Sequence, residues 1–146
     1  MNFPSIIINP QILIVLVAVL LVGLVIVLAI NLTRRRRSGL DVEKYRSEWL
    51  KIENSLDRTN TMTYQMAVLS ADKLLDRAMK DIGVSGDTMG DRLKAGKARF
   101  SDINQVWTAH KLRNRIAHET DVNVNLMTAK KALFIFKKAL KELGAI

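Results

Sequence analysis

The sequence predicts an all-α protein, in which a single N-terminal transmembrane helix is followed by an antiparallel helical bundle. Three observations carry this. Residues 12–32 contain no charged side chain, and all are apolar or small except Asn31, which is about the length a hydrocarbon core requires. From residue 41 onward, apolar residues recur every three or four positions, the spacing of one helix face. No segment sustains the period-two alternation of a half-buried strand.

The first element is the apolar run. A cleaved signal peptide would have a positively charged start, a shorter apolar stretch and a small-residue cleavage site. None of these is clear here. Residues 1–11 are uncharged, whereas Arg34, Arg35, Arg36 and Arg37 follow the run directly. The positive-inside rule therefore expects residues 1–11 to be extracytoplasmic, residues 12–32 to cross the cell membrane once, and the rest to be cytoplasmic. Gly23 has no small residue four positions away, so the span offers no GxxxG-type pairing face. The arginines also suit anionic lipid headgroups, which makes membrane lipid an expected partner. Residues 33–40 (TRRRRSGL) read as a basic juxtamembrane linker, reaching roughly 25 to 30 Å when extended.

The bundle is expected over residues 41–146. Its first helix, about 41–56, aligns Tyr45, Trp49, Ile52 and Leu56. The second opens near Thr61 or Thr63 and carries Ala67, Ala71, Leu74, Leu75, Ala78 and Ile82 to a stop at Gly83. Asp76 and Lys80 form an i,i+4 pair on its outer face. The loop VSGDTMG lacks the Gly-Lys-Ser/Thr ending of a phosphate loop and leads into a short helix over 91–95. Ser101 is the expected cap of the next helix, with Asp102 in its first turn, and this helix runs to about His118. After a polar connection, Thr128 is the expected cap of a last helix ending near Leu143. Ala129, Ala132, Leu133, Phe136, Leu140 and Leu143 face inward there, while Lys130, Lys137, Lys138 and Lys141 lie opposite. Trp49 and Trp107 fall on apolar stripes and are expected in the core.

Net charge is +9, and it is unevenly spread. Residues 41–91 hold 7 basic and 10 acidic side chains, residues 92–146 hold 12 and 4. The C-terminal half is therefore the place for a phosphate-binding surface, unless its cations only solvate the fold. The chain has no cysteine, which excludes disulfides, thiol chemistry and thiolate zinc sites. Two histidines eight residues apart make a poor metal site, and no nucleophile turn for Ser/His/Asp catalysis is present. No metal or cofactor is expected.

The most informative stretch is HKLRNRIAHE, residues 110–119. On a helix His110, Asn114 and His118 lie roughly along one face, with Arg113 beside them. In one reading these groups form a polar clasp, bridging to acidic neighbours such as Asp72 or Asp76 and fixing the bundle's register. In the other they are a reaction centre.

LRNRIAHE resembles the motif of the HEPN superfamily, in which Arg is followed four to six residues later by His, commonly with a polar residue directly after the Arg. Here these are Arg113, Asn114 and His118, with four residues between Arg and His. The resemblance extends over residues 41–146 through the order of predicted helices, and implies a HEPN-like bundle. It further implies RNA as partner: many HEPN domains are metal-independent endoribonucleases of defence and stress systems that work as homodimers with two motifs face to face. Others have lost cleavage and serve as RNA-binding or interaction modules. HEPN toxins often carry Tyr two residues after the His, where this chain has Thr120, so that subgroup is not implied.

The chemistry can be argued from the residues as well. Cleavage of RNA by its own 2′-hydroxyl requires a base, an acid for the leaving oxygen, and positive charge on the phosphorane. An imidazole, which ordinarily titrates near pH ~6.5, suits either proton transfer. Catalytic roles are thus expected for Arg113 (phosphate), Asn114 (orientation) and His118 (proton transfer), with Arg115 and His110 as candidate substrate contacts. A single motif supplies one such His for two roles, and a homodimer would supply the second. Nothing points to DNA. A third reading, lipid binding, rests on the lysine-bearing last helix and the arginine run.

Overall fold

A computed structural model describes residues 10–34, 39–57 and 59–146, the side chains of residues 29–34 excepted. Residues 1–9 and Arg35, Arg36 and Arg37 lie outside the described residues, as does the side chain of Arg34. The chain divides into two compact units, Met1–Arg37 and Ser38–Ile146. Helices are the only regular structure among the described residues, as the periodicity predicts.

In the first unit, α1 (Pro10–Arg34) is uncharged up to Arg34 and strongly apolar over Pro10–Leu28, where mean hydropathy is 3.3 and none of the stretch is buried within the protein. It is long and apolar enough to cross a membrane.

The second unit is an antiparallel bundle of α2 (Val42–Asn54), α3 (Met62–Asp81), the short α4 (Met89–Ala95), α5 (Ile103–His118) and α6 (Leu126–Glu142), with a 3-10 turn over Lys97–Arg99. Helix α3 is central: α2, α4, α5 and α6 all pack against it, and α6 also packs on α5. The reason is its composition. Ala67, Ala71 and Ala78 let neighbours approach closely, while Val68, Leu74, Leu75 and Met79 fill the space between, and all seven are buried. Opposite them lie Phe136, Ala139 and Leu140 of α6 and Tyr45 and Trp49 of α2. Leu40 belongs to this core too, so the linker ends one residue earlier than the sequence suggests.

The caps explain most boundary differences. Asp41 caps α2 by accepting from the backbone N–H of Lys44 at 3.1 Å. Thr88 and Asp91 form a reciprocal capping box, so α4 starts at Met89 with Asp91 inside it. Asp102, rather than Ser101, caps α5, because the Ser101 side chain is bonded to Glu142 of α6. Asn125, rather than Thr128, caps α6. Gly83 ends the α3 region at φ +76°, with its N–H on Lys80 and that of Val84 on Met79, a geometry that favours glycine.

Polar ties sit at the edges of the core. Arg77 of α3 pairs with Glu48 of α2. The Tyr45 hydroxyl donates to Asp81 at 2.7 Å. Burial, helped by that carboxylate, pushes Tyr45 up to about 12. Lys137 departs from the outer face expected for it: it is half-buried, 2.6 Å from Glu53 and over the Trp49 ring.

Candidate functional site

Asp72 is a buried carboxylate on the apolar stripe of α3, between Ala71 and Leu75. Across from it, Val106 and Ala109 turn α5 toward the core, and the residue after Ala109 is His110. One turn later come Arg113 and Asn114. These four side chains form a closed ring. His110 Nδ1 lies 2.7 Å from Asp72 Oδ1. Asn114 Nδ2 lies 3.2 Å from His110 Nε2. Arg113 Nη1 donates to Asn114 Oδ1 at 3.1 Å, and the fourth side is an ion pair without hydrogen-bond geometry, Arg113 Nε lying 3.3 Å from Asp72 Oδ2 and making no hydrogen bond itself. A carboxylate only accepts, so Nδ1–H of His110 donates to it, leaving Nε2 to accept from the Asn114 amide.

The ring's depth sets its energetics. The side chains of Asp72 and His110 are only 5% and 8% exposed, so little water is available to replace a lost partner. The carboxylate is acceptable there because His110 and Arg113 both face it. Trp107 covers the ring's side, edge-on to His110 with centroids 5.8 Å apart. It is half-buried rather than a core residue, because its outer edge borders a cleft.

That cleft, about 1100 Å³, lies between α3, α4 and the C-terminal half of α5. Asp72, Lys73, Trp107, His110, Arg113 and Asn114 are on its lining. Arg92 also lines it but is committed: it is buried, its Nε donates to Asp76 at 2.6 Å, and it donates to the Gly86 carbonyl. Gly86 cannot be replaced cheaply, since its φ is +144° and a Cβ would sit 2.7 Å from the Arg92 backbone nitrogen. Asp76 also holds Lys80 at 2.9 Å, the expected i,i+4 pair. Burial works to raise the Asp76 carboxyl, but Arg92 and Lys80 outweigh it and hold the group below its ordinary value. The lining cations left for a ligand are Lys73 and Arg113, the latter with its side chain 34% exposed and its Nη2 unbonded among the described residues.

The stretch thus divides. His110, Arg113 and Asn114 are brought together with Asp72, whereas His118 and Arg115 are not. His118 is the last residue of α5, exposed, with no hydrogen bond or ion pair among the described residues; it follows Ala117, which lines the cleft, but is not itself on the lining. Arg115 pairs with Glu119 at 3.2 Å and borders a different groove, between α5 and α6. Of the two acidic neighbours proposed for the clasp, Asp72 closes it and Asp76 serves Arg92. The cleft contacts of Lys73 and Trp107 are not legible in the sequence, because both depend on how α4 folds over α3. Compared with known proteins, the chain matches no family model, no curated protein and no solved structure.

Proposed function

We propose that this protein is a membrane-anchored, HEPN-like candidate endoribonuclease, whose cytoplasmic bundle binds RNA and cleaves it without metal near the inner membrane surface. The observation that carries the reading is the contrast within the motif: Arg113 is braced by Asp72 and Asn114, while His118 is left without a protein partner at the helix end. Bracing fixes the guanidinium before substrate arrives, so its unbonded edge can receive phosphate oxygens at little entropic cost. Lys73 adds charge beside it. His118 then transfers the proton, as base at the 2′-hydroxyl or as acid at the leaving 5′-oxygen, and a homodimer brings a second His118 for the other role. Exposed Met66, which lines the same cleft as Asn114 and Ala117, gives such a dimer an apolar contact.

The test is to incubate the full-length chain in detergent with total RNA and EDTA and to analyse the product ends. The reading expects 2′,3′-cyclic phosphate ends from the wild type and none from His118→Ala. Intact RNA with a folded, dimeric wild type would count against it.

A second reading is favoured by the closure of the ring itself: a tethered, non-catalytic RNA-binding or interaction module in which Arg113, Asn114 and His110 are structural. It expects no cleavage from any variant and a loss of stability wherever the ring is opened.

A further inference from the structure

The outer face of α6 is not accounted for by the cleft or the ring. Phe134 and Met127 are 67% and 80% exposed, a large apolar outlay on one face of α6, with Met127 and Lys131 at its border with the α5–α6 groove. Around them stand Lys130, Lys131, Lys138 and Lys141, all exposed. At 3.6 residues per turn the six side chains fall within an arc of about 100°, the two apolar ones near its middle and two lysines on each side. Among the described residues, Lys130, Lys131 and Lys141 have no acidic partner, and Lys138 has only Glu142 at 3.9 Å.

We propose that this face of α6 docks on an anionic lipid surface, with Phe134 and Met127 entering the headgroup layer and the flanking lysines pairing with lipid phosphates. An apolar ridge with lysines on both flanks is what a helix lying in an interface needs, because the lysine stems follow the ridge inward while their ammonium groups stay at headgroup level. Charge complementarity selects this occupant over a second copy of the chain, since pairing the face with itself would set lysines against lysines. The apolar centre selects it over nucleic acid, whose backbone offers phosphates but nothing to bury Phe134 and Met127. Proximity adds to this. The inference rests on reading α1 as a membrane span, which runs to Arg34; with Leu40 already in the core, residues 35–39 allow the bundle at most roughly 20 Å of reach from it. Docking by α6 leaves the cleft, formed by α3, α4 and α5, for other ligands.

The chain has no cysteine, so a single label can be placed cleanly. The full-length protein would carry a bimane on Phe134→Cys, where the fluorophore restores an apolar ring, or on Ser85→Cys in the exposed loop before α4. Each is reconstituted into nanodiscs containing brominated lipid as quencher, of phosphatidylcholine alone or with phosphatidylglycerol. The expected result is quenching at position 134 in the anionic discs only, reversed by 1 M NaCl and by Lys130→Gln, Lys131→Gln and Lys141→Gln together, with the Ser85 label unquenched throughout. Equal signals at both positions, quenching indifferent to lipid charge and salt, shielding that appears on adding RNA instead of anionic lipid, or label-to-label contact between two chains would each overturn the proposal. Co-elution with the discs reports separately on α1. If co-elution fails, the span reading falls, and the same label read on added vesicles of the two compositions still decides the docking.

Discussion

His110 and His118 stand two turns apart on α5, about 12 Å along its axis, in opposite environments. One is buried, with both ring nitrogens engaged by Asp72 and Asn114; the other is exposed, with neither engaged. The difference teaches that a polar stretch need not be either clasp or reaction centre as a whole. Its first turns lock α5 to α3, and His118, the last residue of the helix, has no bonded partner among the described residues. The two regions therefore differ in what mutation can remove: buried contacts at His110 and none at His118, where the proposed function alone expects a loss of cleavage.

The largest effect is expected from Asp72→Ala. It leaves His110 and Arg113 facing a desolvated gap, and should cost about 3 to 5 kcal/mol of unfolding free energy in urea titration. His110→Ala removes one partner but leaves Asp72 the Arg113 guanidinium, so about 2 to 3 kcal/mol is expected from the same measurement. If the two losses were equal, Arg113 would be contributing nothing to the ring.

Asp76→Asn sharpens the comparison from the cleft's other side, where Arg92 is buried without any imidazole. The Asp76 carboxyl is held below its ordinary value, so its stabilisation is complete above the usual carboxylate range and is lost as pH falls through the lowered value. The variant should be less stable at neutral pH and lose less on acidification than the wild type, read from melting temperatures at neutral and acid pH. Tyr45 runs in the other sense. Its phenol is raised from 10.0 to about 12, so its contribution is whole below pH 10 and disappears as pH climbs through about 12. Tyr45→Phe should flatten the alkaline limb of the melting curve between those values.

The helices were legible because each hides an apolar stripe at helical spacing, and the buried parts of Tyr45, Trp49, Leu75, Phe136 and Leu140 follow from it. Caps were less so. Ser101 and Asp102 are both good cap residues, and only the position of Glu142, 41 residues away, draws Ser101 aside. In the site, Arg113, Asn114 and His110 are visible as a cluster and Asp72 and Asp76 as its possible acidic partners, but not which of the two it meets. The clue is there: an aspartate at the buried spacing of Val68, Leu75 and Met79 requires a partner. Lys137 was misplaced for a similar reason. Helical spacing puts it near the surface, and the packing of α2 beside α6 then gives it Glu53 and the Trp49 ring.

The smallest stability effect is also the most telling. His118→Ala touches no buried contact and should change unfolding free energy by less than about 0.5 kcal/mol. The measurement that tests the division most directly is a paired one on the full-length chain: melting temperature and RNA cleavage for His118→Ala beside His110→Ala. The account predicts an unchanged melting temperature with cleavage abolished for the first, and a clearly lowered melting temperature for the second. A His118→Ala protein that cleaves like the wild type, or that melts as early as His110→Ala, would contradict it.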